Sequence, residues 1–405
     1  MDIVSIYAAT AGGVFATLFL ISLLPYLCHL AKIFERYISR YLIFPFFLRR
    51  HRFVGPWTRG AVLIHLFYTG INLFCLCFGV SSPTEFADRS GTLAVVNMVT
   101  LFATGHMSFY ADIMSISRHT CLQIHRGSAW MVSEKLLMGS NEQPFCTYFR
   151  VVLTRPMRID AGQYINLWMP SVTWWSWAQV HPFMVTSWSH SAQEALDILI
   201  QPRRGLSHEL LKHARAAPQG SASLRAFIIG PHGRSENVDR YESVVLVASG
   251  FGIAAAISYL KKLVYSYNTS ASRTRRVHLV WEVETLDIAI AVQATLNSLL
   301  EDDVLKKRYI LTISIYVKSG QIIGDEMKFG NHGRAVVYNR HAKYDQILRA
   351  EMSGELIERL PGAQEEKGES LVLVAASSLV RDQVRLVLQD YVHRKAKMAV
   401  LEYQP

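Results

Sequence analysis

The sequence predicts membrane helices followed by a small antiparallel β-barrel and then a doubly wound α/β domain. Three observations carry that prediction: three long uncharged apolar runs, a block of short alternating strands, and a late switch to strand–helix alternation. The apolar runs come first. Residues 3–31, 60–84 and 90–111 carry no Asp, Glu, Lys or Arg. Each reaches the roughly 20 apolar residues that cross a hydrocarbon layer of about 30 Å. We place spans at 7–29, 60–82 and 91–111, which makes residues 1–113 a membrane domain. A cleaved signal peptide fits the first run poorly, because Asp2 stands where a basic region belongs and the apolar run is too long.

Orientation follows from charge. Lys32, Arg36, Arg40, Arg49, Arg50, Arg52 and Arg59 lie between the first two runs against one acid, Glu35. The next loop holds Glu85, Asp88 and Arg89. Basic loops stay in the cytoplasm, so the N-terminus is expected outside and everything after residue 113 inside, in an integral membrane protein of the plasma membrane. The net charge of +10 is concentrated in that loop, where it can sit on anionic membrane lipid; it calls for no nucleic acid. The five cysteines (28, 75, 77, 121 and 146) show no metal-ligand spacing. Residues 114–145, with Arg118, Arg126, Glu134 and Lys135, read as a surface linker.

Residues 146–238 form the expected barrel. Cys146–Leu153 and Tyr164–Trp168 alternate, and Ala195–Ile200 and Arg225–Ile229 are short apolar runs. Residues 239–405 form the α/β domain. Its strands are expected at Ser243–Ala248, Val277–Trp281, Ile310–Val317, Leu371–Val374 and Ala399–Leu401, with helices over Ile253–Tyr265 and near 286–300 and 378–392. That alternation builds a mostly parallel sheet with helices on both faces.

Three turns could serve phosphates. Gly250-x-Gly252, followed by Ile253, ends a strand and opens a helix, so its backbone could approach a pyrophosphate. A plain strand-to-helix turn has the same pattern. Gly230-Pro231-His232-Gly233 could equally be an ordinary turn. Gly205-Leu206-Ser207 could offer a hydroxyl to phosphate, or Ser207 could simply cap a helix at 207–213.

Taken in order, GQYINLWMP (162–170), HPFMVTS (181–187), GLS (205–207), GPHG (230–233), VASGFGIA (247–254) and LVWEV (279–283) resemble the ferric-chelate reductase and NADPH oxidase family, nearest its fungal metalloreductases. The membrane segment from Arg89 to Asn97 and Ile124-His125-Arg126 resembles the same family. The resemblance implies a ferredoxin reductase-like pair of domains, the barrel binding FAD and the α/β domain binding NADPH. It implies hydride transfer to flavin and single electrons passed on towards ferric or cupric chelates. By the family pattern, Tyr164, His181, Pro182, Phe183, Met184, Val185, Thr186 and Ser187 line the flavin. Gly205 and Ser207 hold FAD phosphate, and Gly230, Pro231, Gly233, Gly250, Gly252 and Ile253 border the nicotinamide nucleotide.

The chain departs from the pattern in three places. Met184 stands where the family usually has threonine, although Thr186 and Ser187 remain as hydroxyls. Val374-Ala375-Ala376-Ser377 replaces a Cys-Gly pair beside the nicotinamide. His125 matches the first haem b iron ligand, but Ser133-Glu134-Lys135 interrupts the helix that should follow, and the later haem-bearing spans are missing before the flavin strands. The alternatives are therefore a haem-less, membrane-anchored flavin reductase with a cytoplasmic acceptor, or a degenerate, non-catalytic family member.

Overall fold

The structure is a computed structural model that describes residues 2–48, 56–80, 82–102, 111–113, 147–172, 176, 180–201, 205–216, 224–303, 309–318, 322, 324–357, 368–391 and 396–402. The expected linker at 114–145, with His125, lies outside the described residues. The chain divides into two units, Met1–Leu73 with Gln389–Arg394, and Phe74–Leu388 with Lys395–Pro405.

The first unit is built on helix α1 (Ile3–Ile38), which winds on through a π-turn at Ser39–Ile43. At 1.5 Å per residue α1 is about 54 Å long, more than a bilayer needs. Strands β1 (Phe46–Leu48) and β2 (Trp57–Thr58) pair antiparallel before α2 (Arg59–Cys77). The segments Gly12–Ile43 and Arg59–Cys77 are long and apolar enough to cross a membrane. Their side chains, Phe15, Phe19 and Phe67 among them, are exposed, so no protein core accounts for this apolar surface.

The second unit opens with α3 (Pro83–Phe102). Glu85, Asp88 and Arg89, expected in a loop, lie on the first turns of α3, and Arg89 donates to Phe78 O at 2.6 Å and Glu85 Oε1 at 2.7 Å. The second apolar helix ends at Cys77 rather than 82, and α3 begins before the expected 91. Proline explains the start: it suits the first turn of a helix, where its missing N–H costs nothing. Residues 103–110 of the third expected span lie outside the described residues.

Next come the antiparallel strands β3 (Thr147–Met157), β4 (Tyr164–Trp168), β5 (His181–Met184), β6 (Gln193–Ile200) and β7 (Phe227–His232), with helix α4 (Leu206–Ala216) between the last two. The described strands do not by themselves confirm the expected barrel. They make two small sheets, β3–β6 and β5–β4–β7, joined by a single bridge, Val185 to Ile198. Ile165, Leu167, Val185, Leu196 and Ile198 fill the space between the sheets, and Leu206 and Leu210 pin α4 onto it.

The remaining chain makes a seven-stranded sheet in the order β11-β12-β10-β9-β8-β13-β14. Its strands are β8 (Ser243–Ser249), β9 (Arg276–Val283), β10 (Leu311–Val317), β11 (Glu326–Lys328), β12 (Ala335–Tyr338), β13 (Ser370–Ala375) and β14 (Ala396–Val400). All neighbours run parallel except β11. The helices are α5 (Ile253–Asn268), α6 (Asp287–Asp302), α7 (Tyr344–Ser353) and α8 (Ser378–Gln389). From β8 the chain builds outward through β9, β10 and β12, then returns to lay β13 on the other side of β8. The order reverses at β8, and in open α/β sheets ligands bind at such a reversal, beyond the carboxyl ends of the strands.

Helix α5 joins the two parts of this unit. Ser258 Oγ accepts Gly162 N–H at 3.1 Å, and Tyr259 Oη accepts Glu236 N–H at 2.9 Å. Burial pushes the Tyr259 phenol up to about 12, so it stays neutral. Gly162, at φ +85°, cannot be replaced cheaply: a Cβ there would come within 2.4 Å of the Tyr259 hydroxyl.

Candidate nucleotide and flavin site

The reversal point is built from the ends of β8 and β13. Ser249 is followed by a 3₁₀ turn at Gly250–Gly252, and α5 begins at Ile253 without a side-chain cap on its first amides. Uncapped amides at a helix N-terminus are donors that an anion can satisfy. Gly250 has φ +50° and open space where a side chain would project, and its carbonyl accepts the indole N–H of the fully buried Trp281 at 2.8 Å. Gly252 is different. Its φ is ordinary, but a Cβ would lie 1.6 Å from Ala375 O. Val374-Ala375-Ala376-Ser377 therefore abuts this turn directly, and Ser377 N–H donates to Ser249 Oγ at 2.6 Å.

One register row crosses the sheet beside the turn: Ser249, Glu282, Tyr316 and Tyr338. The Tyr316 and Tyr338 rings stack 5.1 Å apart, and the Arg340 guanidinium lies 5.0 Å from the Tyr338 ring. Glu282 is buried and occupied: Tyr344 Oη donates to it at 2.7 Å, and His341 Nδ1 lies 3.1 Å away. Burial, then the hydrogen bond to Glu282, raises the Tyr344 hydroxyl far above its ordinary range. Tyr316, Tyr338 and Arg340 are absent from the sequence-based site. Position at the carboxyl end of a parallel strand was the signal that could have found them.

The second cluster centres on β5–β4–β7. Tyr164 pairs with Met184 on one side and His232 on the other, Asn166 pairs with Pro182 and Ile229, and Leu167 pairs with His181. Side chains alternate along a strand, so the expected His181–Ser187 segment divides between two faces. Pro182 and Met184 share the face of Tyr164 and Asn166. Phe183, with His181, takes the face of Ile165 and Leu167, and Phe183 packs on the antiparallel core. Half-burial lowers the His181 pKa below its ordinary value. The Thr186 and Ser187 hydroxyls both bond to the Asp197 backbone, which engages the Thr186 donor and leaves the Ser187 O–H to donate. Thr186 Oγ1 donates to Asp197 O at 2.9 Å, and Ser187 Oγ accepts Asp197 N–H at 3.1 Å, which braces β5 against β6.

The Gly230–Gly233 segment, which ends β7, joins this cluster. His232 lies 5.8 Å from the Tyr164 ring, and Asp112 holds the turn with both carboxylate oxygens, one at 2.7 Å from His232 Nδ1 and the other accepting Gly233 N–H at 3.1 Å. His232 Nε2 is buried and has no partner among the described residues. Asp112 was given no role from sequence, and His232 entered only as part of the Gly230–Gly233 motif. Gly205, at φ +87° with open space beside it, starts α4, and its carbonyl accepts the amides of His208 and Glu209. Helix α4 thus begins at Leu206, with Ser207 inside its first turn rather than capping it. Tyr164, Met184 and Ile253 belong to one continuous core, so strand residues of the antiparallel part and the start of α5 converge.

An antiparallel domain set against a doubly wound domain with an open, helix-starting glycine turn defines the two-domain reductase class that pairs a flavin with a nicotinamide nucleotide. Residues 146–236 match the family model for the FAD-binding domain, and residues 241–332 match that for the ferric reductase NAD binding domain. The chain thus carries an FAD-binding domain followed by a ferric reductase NAD-binding domain, and it is similar to ferric reductases and NADPH oxidases.

Ferric reduction oxidase 5 of Arabidopsis thaliana is 22% identical over 275 residues, 58% of this chain and 37% of that protein. Ferric/cupric reductase transmembrane component 2 of Saccharomyces cerevisiae is 31% identical over 146 residues, 36% of this chain and 20% of that protein. NADPH oxidase 1 of Rattus norvegicus is 28% identical over 167 residues, 40% of this chain and 28% of that protein. The chain therefore spans 20% to 37% of the length of these relatives.

Proposed function

We propose that this protein is a membrane-bound, NADPH-dependent flavin oxidoreductase that passes electrons from NADPH through FAD towards ferric or cupric chelates. The observation that carries the reading is the FAD-binding domain followed directly by a ferric reductase NAD-binding domain. Bound FAD would supply the conversion of a two-electron hydride into single electrons. The chain's own residues supply position and charge.

The backbone at the start of α5, with Gly250, Gly252 and Ile253 and no side-chain cap, holds the pyrophosphate of the nucleotide. The Tyr316–Tyr338 pair flanks its adenosine end, and Arg340 and Lys318, at the ends of β12 and β10, meet a 2′-phosphate. NAD-selective folds use an acid near this position to bind the ribose diol. Here that acid, Glu282, is taken by Tyr344 and His341, which supports NADPH over NADH. The flavin ring lies along the face of Tyr164, Asn166, Pro182 and Met184, while His181, Phe183, Val185, Thr186 and Ser187 set that face from behind. Gly205 and Ser207 hold FAD phosphate, and Gly230, Pro231 and Gly233 shape the turn beside the nicotinamide. The apolar helices α1 and α2 anchor the chain in lipid. The N-terminus faces outward, and the flavin domain faces the cytoplasm at the plasma membrane.

The test is spectroscopic and kinetic. Full-length protein in detergent should take up FAD and oxidise NADPH with ferric-EDTA as acceptor; a colourless protein after FAD addition would sink the reading. A Soret band alongside flavin would establish haem b on the electron path, and flavin alone would establish direct transfer. Arg340→Ala should raise the KM for NADPH tenfold or more and leave that for NADH unchanged. Equal effects on the two nucleotides would remove Arg340 from the 2′-phosphate.

A further inference from the structure

A cavity of about 840 Å³ lies where the turn after β5 faces the later halves of α5 and α6. It is separate from the nucleotide turn. Lys261, its first α5 residue, lies eight residues beyond Ile253, about 12 Å along the helix. Trp188 and His190 border it at the end of β5 away from His181.

The α5 wall is graded. Lys261, Tyr265 and Asn268 recur at helical spacing on one face, and seven residues span about 10 Å. At one end the Lys261 ammonium forms no ion pair among the described residues, and burial lowers its pKa, which the Asp197 carboxylate partly offsets. In the middle, Tyr265 is met edge-on by Trp188 at 5.4 Å and stacked by His190 at 5.5 Å. At the other end Asn268 donates to Asp302 O at 2.6 Å, which leaves its buried Oδ1 an acceptor without a partner. The exposed Asp302 carboxylate borders the same end.

Cation, rings and acceptors in that order, over about 10 Å, describe the complement of one kind of molecule. We propose that this cavity is a second ligand site for an elongated aromatic anion. The anionic group meets Lys261, a planar ring packs beside Trp188 and His190, and a hydrogen-bond donor reaches the exposed Asp302 carboxylate. A nucleoside monophosphate is the representative ligand. A partly buried ammonium with no ion pair among the described residues is costly unless a ligand satisfies it. Because the walls come from the antiparallel and the doubly wound domains together, occupancy ties the two domains to each other, and the site is regulatory. The proposal stands independently of the redox reading.

The experiment titrates full-length, FAD-loaded protein in detergent with 5′-AMP by calorimetry, and with NADP⁺ in parallel. Wild-type protein should bind AMP. Lys261→Gln and Asp302→Asn should each weaken AMP at least tenfold while NADP⁺ affinity, flavin content and Tm stay unchanged. Absence of AMP binding to the wild type, unchanged AMP affinity in both variants, or joint loss of AMP and NADP⁺ would each overturn the proposal.

Discussion

Gly252 and Gly250 sit two residues apart and are glycines for different reasons. At 252 the backbone conformation suits any residue, but Ala375 O occupies the place of a Cβ. At 250 the space is open and only the φ of +50° is unfavourable. The sequence pattern left both open between ligand approach and a plain strand-to-helix turn; the structure adds that Gly252 also serves the junction of β8 and β13. Gly252→Ala should therefore push the end of β13 aside, at about 2–3 kcal/mol for overpacking, and NADPH oxidation should fall with it. Gly250→Ala should cost about 1 kcal/mol. Thermal denaturation of the two variants checks the ranking, and equal losses would contradict it. Asp112 illustrates a residue that sequence could not flag. Its partners, His232 and Gly233, are 120 and 121 positions away, and nothing local marks an isolated aspartate as the clamp of a distant turn.

Among the elements, α7 is held to the sheet by charge. Glu351 Oε2 accepts Arg276 Nε at 2.6 Å, and its Oε1 accepts Arg276 Nη2 at 2.7 Å and lies 2.6 Å from His278 Nδ1. Burial alone would raise this carboxyl, but the hydrogen bonds from His278 and Arg276 outweigh it and hold Glu351 at about 2 against an ordinary 4.5. A folded pKa below the unfolded one stabilises the fold above the unfolded value and loses that contribution as pH falls. The stability of the second unit should thus drop by about 3 kcal/mol between pH 4.5 and 2. In Glu351→Gln the loss should be present already at pH 7, with the acid limb flattened; denaturant titrations across pH read both. An unaltered acid limb would show that Glu351 is not its source. Short strands were read well from alternation, but β12 and α7 were missed, because Ala335–Tyr338 is too short to show a period and charged residues interrupt α7. By the family pattern all of His181–Ser187 is expected to line the flavin. As strand β5 it must turn alternate residues away, which is why only Pro182 and Met184 share the Tyr164 face.

For the molecule as a whole, the membrane reading rests on α1 and α2, whose apolar surfaces have no protein cover. Cys28, Cys75 and Cys77 lie exposed on these helices. In sealed vesicles a membrane-impermeant maleimide should fail to modify them and should react once detergent is added, as located by mass spectrometry. Modification in intact vesicles would place these helices in water. The sequence alone established which segments are apolar enough for lipid, where alternation gives way to strand–helix repeats, and which glycine turns stand in the order of a flavin and a nicotinamide site. Those properties are local, set by neighbours within a turn or two of chain. Folding alone decided that β13 returns beside β8, that Ala375 closes on Gly252, that Glu282 is consumed by Tyr344, and that Lys261 and Trp188 face one cavity. Such contacts join residues far apart in the chain, and which of many chemically acceptable partners meet is fixed only when the sheet order and the packing of α5 are in place.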